Sequence, residues 1–277
     1  MKKYTRIILV ISGLALVYFL NKLPERVVDS KGRALVTTEG SEIQDEDKDH
    51  NGHESSSSLS LDDSVKVATL KNQLEETDQS AVKTLLADSI AEIFGKNYFV
   101  DSAAFYYNKI VTYSTSLGGY ELAGNGYYSL YRITREDALA EKSMEFYSTI
   151  LQKDSTRNDL LAKVGFLKAI NGKVPPMEGI AMVKKALSNA PQNAEVLLRY
   201  GELFQIRGSN DEALVQFRKA VEYNPENLDA RIYLVEALRV SKKDDECIAH
   251  LNKIKELNKG QDKFIEDYVD RSLKELL

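Results

Sequence analysis

Residues 191–225 read PQNAEVLLRYGELFQIRGSNDEALVQFRKAVEYNP, a segment bounded by Pro191 and Pro225, thirty-four positions apart. Leu197, Tyr200, Gly201 and Phe204, then Ala213, Phe217 and Ala220, recur at the three- and four-residue steps of a helix face. Gly208 falls between the two runs, where a residue tolerant of positive φ closes a helix, and Pro225 stops the second run. The pattern predicts a helical hairpin. Gly201 and Ala213 are small enough for its two helices to approach closely, while Leu197, Phe204 and Phe217 supply apolar bulk between successive hairpins.

Outward from this segment the phase persists. Leu234, Val235, Leu238, Cys247, Leu251 and Ile254 fall thirty-four positions after Tyr200, Gly201, Phe204, Ala213, Phe217 and Ala220. Upstream, Leu161, Val164, Gly165 and Gly172 open a unit whose second helix carries Val183 and Ala186, lengthened to thirty-six positions by the Val174-Pro175-Pro176 turn. Before it, Ser143, Tyr147 and Ile150 mark a second helix preceded by one running from Leu122 to Tyr131, and Ile90, Ala91 and Phe94 pair with Ala103, Tyr107 and Ile110. Four clear repeats and a fifth are readable across residues 81–258, the first two degenerate. Phe264, Ile265, Tyr268, Val269, Leu273 and Leu276 make residues 261–277 a C-terminal capping helix, and residues 65–74 are placed as a cap at the other end.

The set Leu197, Tyr200, Gly201, Phe204, Gly208, Ala213, Phe217, Ala220 and Pro225 resembles the tetratricopeptide repeat signature position by position, in the manner of membrane-anchored bacterial members. That resemblance implies an all-α, right-handed superhelical solenoid of helix-turn-helix repeats, behind an N-terminal transmembrane helix. It also implies a concave groove lined by positions two, five, nine and twelve of each first helix. Carried over, these are Asp159, Ala162, Phe166 and Ala169, then Glu195, Leu198, Glu202 and Gln205, then Asp229, Ile232, Glu236 and Arg239. Such a groove is apolar near Phe166 and acidic beyond it, so the implied partner is a basic or amphipathic protein or peptide. Members that clamp a chain-terminal carboxylate place Lys and Asn at several of these positions, which this sequence lacks. The function this implies is a membrane-tethered protein-binding scaffold. The alternative is an assembly factor for one pathway, since residues 174–258 are also broadly similar to bacterial cytochrome c biogenesis subunits.

Charge is unevenly spread along the 277 residues, whose formal net charge is −5. Residues 1–28 carry five Lys or Arg against one acid, residues 29–63 three against ten, and residues 64–277 carry 29 against 31. A mildly acidic repeat region argues against nucleic acid, whose binding needs a basic surface to displace counterions. Cys247 is the only cysteine, so no intramolecular disulfide, cysteine-based metal site or lipobox after the N-terminal apolar run is expected. Its position makes it a small buried thiol between helices. The sequence carries no zinc-protease helix, phosphate loop or activated-serine elbow, and neither enzyme activity nor a cofactor is expected. Gly118-Gly119 and Gly124-Asn125-Gly126 follow no strand pattern and are read as positions that loosen or closely pack a degenerate repeat helix, with most of the tyrosines between Tyr98 and Tyr147 as core fillers.

Residues 1–28 combine a basic start with an apolar run from Ile7 to Leu20, and no small-residue cleavage pattern follows. Extended over residues 4–23, the run reaches the ~20 residues that cross a bilayer core. The expectation is an uncleaved single-pass anchor in the cell membrane, with the C-terminal domain extracytoplasmic. Residues 29–63 read as an acidic, Ser-rich disordered linker, and residues 64–277 as the solenoid, with regular repeats at 194–227 and 228–258. Within the linker, residues 47–52 resemble half of an EF-hand loop, but Glu54 and Ser58 stand where a packing residue and the closing bidentate Glu belong. No metal is therefore assigned there or to the nearby His50 and His53.

Overall fold

The computed structural model describes residues 58–173, 175–260 and 262–276. The expected anchor, residues 1–28, lies outside them, as do linker residues 29–57 with the EF-hand-like stretch. Among the described residues no helix is long and apolar enough to cross a membrane. These residues form twelve α-helices and no strand: α1 Leu61–Glu76, α2 Ser80–Lys96, α3 Val100–Tyr113, α4 Leu117–Thr134, α5 Asp137–Lys153, α6 Asn158–Ile170, α7 Pro176–Asn189, α8 Ala194–Ile206, α9 Asn210–Tyr223, α10 Leu228–Val240, α11 Asp244–Asn258 and α12 Lys263–Leu276. Helix α1 begins three residues inside the stretch read as linker; Asp62 and Asp63 favour its positive N-terminal end.

Helices pair as hairpins α2–α3, α4–α5, α6–α7, α8–α9 and α10–α11, and the first helices of successive hairpins touch at α2–α4, α6–α8 and α8–α10. Helix α4 makes no comparably close backbone approach to α6. The regular repeats reuse the same local devices. Asn193 and Asn227, one repeat apart, each cap a helix by accepting a backbone N–H, from Val196 at 3.1 Å and from Ala230 at 2.9 Å. Gly208 and Lys242 hold equivalent left-handed turns at φ 77° and 54°. Each turn is closed by a backbone bond, Ser209 N–H to the Phe204 carbonyl and Lys243 N–H to that of Leu238.

Two main hydrophobic clusters hold the stack. The first gathers buried side chains of α2–α7 and Leu203 of α8, among them Tyr107, Tyr127, Tyr128, Tyr131, Phe146 and Tyr147; the second gathers others of α8–α12, around Leu198, Phe217, Leu234, Leu238 and Leu251. Burying apolar side chains between neighbours is what stabilises hairpins that could not stand alone. A Cβ on Gly201 would sit 2.5 Å from the Phe217 ring, and one on Gly165 would sit 2.7 Å from the carbonyl oxygen of Gly179. Gly124 and Gly126 face the rings of Tyr147 and Tyr107 in the same way, so these two glycines pack helices closely, whereas Gly118 and Gly119 meet only Ser116 and Ser114 of the preceding turn. Helix α12 buries Val269 on the second cluster, with Ile265, Tyr268, Leu273 and Leu276 partly covered. Phe264 departs from the expected stripe and is 72% exposed, because it stands in the first turn of the cap.

Candidate functional site

The first helices of the hairpins carry the face on which a concave groove was expected. Positions five of two repeats are not surface at all: Ala162 and Leu198 are fully buried. Phe166 and Glu202 are buried too, while Asp159, Ala169, Glu195, Gln205, Asp229, Ile232, Glu236 and Arg239 are half-buried. The side chains that meet across this face stand one position later, at Lys163, Arg199 and Tyr233, spaced by thirty-six and then thirty-four positions. Their counterpart is one stripe of α4, formed by Glu121, Asn125, Tyr128 and Arg132 at helical steps of three and four.

These groups form a continuous polar seam. At one end Arg157 donates to both oxygens of Glu121, at 2.8 and 2.6 Å, and to Asp159 at 3.0 and 2.7 Å. Next, Tyr147 Oη and Lys163 Nζ both donate to Asn125 Oδ1, at 2.8 and 3.1 Å. In the centre the Arg199 guanidinium donates to Glu195 at 2.8 Å, to Glu202 and to the Tyr128 hydroxyl, and lies 5.3 Å from the Tyr128 ring and 5.6 Å from that of Phe166. At the far end Arg132 donates to Asp229 at 2.8 Å and lies over the Tyr233 ring. Beyond it the cap helix takes the remaining positions: Tyr268 Oη donates to Glu236 at 2.5 Å, and Arg239 pairs with Glu275.

Electrostatics match this geometry. Arg199 is 1% exposed, yet it stays charged because Glu195 and Glu202 outweigh the cost of its burial. Burial raises the Glu202 carboxyl, against the pull of Arg199 and a hydrogen bond with Tyr233. Burial also pushes the Tyr128 hydroxyl well up, so it remains a neutral donor and acceptor. The expected solvated acidic groove is therefore corrected. Glu195 and Glu202 accept from Arg199, Asp229 from Arg132 and Glu236 from Tyr268, so each of these four acids already has an internal donor. Repeat position alone missed Lys163, Arg199, Tyr233 and the α4 stripe, although the repeat-length spacing of the first three was present in the sequence.

Two other sequence positions resolve simply. Cys247 is fully buried against the Val235 carbonyl, and burial raises its thiol, the behaviour of an inert core cysteine. His250 is half-buried: Arg231 lies 2.9 Å from its Nδ1, and burial together with that cation lowers its pKa. Among the described residues no three His, Cys, Asp or Glu side chains gather as metal ligands. Recesses open on the surface of the described residues. One of about 340 Å³ lies between Lys71, Phe94, Asp101, Ser102, Phe105 and Tyr106, and one of about 110 Å³ between α7 and α8.

The tetratricopeptide repeat family model matches residues 206–263. No curated protein matches the sequence. Among solved structures, TTC0263, a thermophilic tetratricopeptide repeat protein of Thermus thermophilus, is 24% identical, covering 64% of this chain and 90% of its own, with a TM-score of 0.47. YrrB, described as a tetratricopeptide repeat protein with an unusual peptide-binding site, is 16% identical over 74% of this chain and 99% of its own, with a TM-score of 0.37. MamA is 16% identical over 62% and 96%, also at 0.37. Residues 206–263 thus match the tetratricopeptide repeat model, and they lie within a stack of helical hairpins of regular repeat spacing.

Proposed function

We propose that this chain is a protein-binding scaffold held at a membrane through residues 4–23, with the repeat domain extracytoplasmic. The observation that carries the scaffold reading is the stack of helical hairpins itself, an architecture that presents extended surfaces rather than a converging pocket. The tetratricopeptide repeat match at residues 206–263 supports the same reading, since stacked helical repeats form extended concave binding surfaces. Anchoring is supported by the basic start and the apolar run of the sequence. A basic partner steered by Glu195, Glu202, Asp229 and Glu236 is not part of the proposal, because those acids already have internal donors. An amphipathic protein segment remains the expected ligand.

The test places a photo-crosslinking amino acid at Gln205 and, separately, at Phe105 in the full chain, and pairs illumination with carbonate extraction of membranes. A discrete adduct with one protein from either position, in the carbonate-resistant fraction, is the expected result. Illumination that yields no protein adduct from either position overturns the scaffold, and release of the chain by carbonate overturns the anchor. An assembly factor for one pathway differs from a general adaptor in that every adduct then belongs to that pathway.

A further inference from the structure

The smaller recess lies where the two hydrophobic clusters meet. It is lined by Ile180 and Lys184 from α7 and by Tyr200, Leu203 and Phe204 from α8, with Arg207 at the helix end, and encloses about 110 Å³. Ile180, Tyr200 and Leu203 belong to the first cluster and Phe204 to the second. The Tyr200 and Phe204 rings pack edge to face at 4.7 Å, so the floor is apolar and its shape is fixed by a ring pair. Lys184 and Arg207 are both exposed.

Neither the Lys184 nor the Arg207 side chain has a hydrogen-bond or ion-pair partner among the described residues, in contrast to Arg132, Arg157, Arg199, Arg218 and Arg239, each of which holds a carboxylate. The recess thus combines an apolar floor with uncommitted positive charge at its rim. We propose that it takes up an acidic segment of a partner protein, seating one aliphatic side chain on the Tyr200–Phe204 floor while flanking carboxylates meet Lys184 and Arg207. The charge complement selects this occupant: a basic segment meets only repulsion at the rim, and a neutral one leaves both cations unanswered. The site lies between α7 and α8, shares no residue with the polar seam, and is independent of any clamp for a chain terminus. It rests on the scaffold reading and names the partner chemistry of one surface.

The probe is a fluorescein-labelled nine-residue peptide carrying one leucine between two pairs of glutamates, measured by anisotropy against the full chain in detergent. Binding with a Kd of roughly 10–100 μM at low salt is expected, with at least tenfold loss in the Lys184→Glu, Arg207→Glu double variant and little change in Lys219→Glu. Replacing the leucine by serine removes most of the binding, and exchanging the glutamates for lysines abolishes it. Both substituted cations are exposed, and an unchanged circular-dichroism melt verifies that the variant is folded. Absence of binding up to about 1 mM, or affinity within twofold of wild type for the double variant, overturns the proposal. Crosslinked partners recovered through Gln205 or Phe105 would still stand in that case, so failure of this site is separable from failure of the scaffold.

Discussion

Helices α2–α7 and helices α8–α12 meet the same packing requirement with different side chains. The first group buries Tyr107, Tyr127, Tyr128, Tyr131, Phe146 and Tyr147, whereas in the second Phe217 is the sole buried ring among aliphatic neighbours. In the regular repeats, equal hairpins stacked at one spacing leave gaps that Leu, Val and Ala fill. In the degenerate repeats the turns vary in length, and large rings with glycine opposite them take up the uneven space. Those rings bring hydroxyls with them. Tyr128 and Tyr147 are core residues by burial and polar residues of the seam by their tips. Irregularity in one half therefore supplies the groups that close the face of the other.

The largest expected effect tests that closure. Arg199→Ala leaves Glu202 buried without its cation and should cost about 3–5 kcal/mol, whereas Arg199→Met with Glu202→Leu should recover most of the loss. Urea melts of both variants check this; a loss under about 1 kcal/mol for Arg199→Ala would show the seam to be ornamental. Next in size are the glycines. Gly179→Ala drives a methyl into the backbone of Gly165 and Ala169, which cannot swing away, and should cost about 3 kcal/mol. Gly201→Ala meets only the Phe217 ring and should cost about 1–2 kcal/mol; equal losses would remove the distinction between backbone and ring contacts.

A pH titration separates the halves further. Asp88 on α2 has no hydrogen bond or ion pair among the described residues, and burial, then Glu92, pushes its carboxyl up to about 6 from 3.8. The folded state then holds this proton more tightly than the unfolded one, so stability is greatest below the lower value and falls as pH rises through the upper one. Asp88→Asn should abolish that fall and stabilise the protein at pH 7 by about 1–2 kcal/mol, the size allowing for partial solvent screening. A wild-type and variant difference that stays flat between pH 4 and 7 would refute this. The smallest effect lies in the regular half: Lys242→Gly relieves a left-handed lysine at φ 54° and should raise stability by about 0.5–1 kcal/mol in a thermal melt.

The hairpins α8–α9 and α10–α11 were legible because their determinants are local and repeat: Gly201, Ala213 and Phe217 in one, Val235, Cys247 and Leu251 in the next, with Asn193 and Asn227 as matching caps. The degenerate α4–α5 hairpin was legible as helices, while the close packing of Gly124 and Gly126 against Tyr147 and Tyr107 was only one of two readings the sequence left open. The polar seam was not. Tyr128 lies 71 residues from Arg199, and Arg132 lies 97 from Asp229, so their meeting depends on how several hairpins turn relative to one another. No short-range spacing encodes that accumulated turn. The groove positions were assigned one residue away from the side chains that reach across, and at 3.6 residues per turn this offset rotates a side chain by about 100°.

The contacts from α4 to α8 and α10 also bear on how the protein would yield under load. In a plain stack each repeat touches only its neighbours, so tension applied at the ends peels units off singly at similar low forces. Here a pull on the chain from both ends should strip α12 and α11 on one side and α1 to α3 on the other, then stall. The segment from α4 to α10 is stitched by Tyr128–Arg199 and Arg132–Asp229, and should rupture as one block at a distinctly higher force.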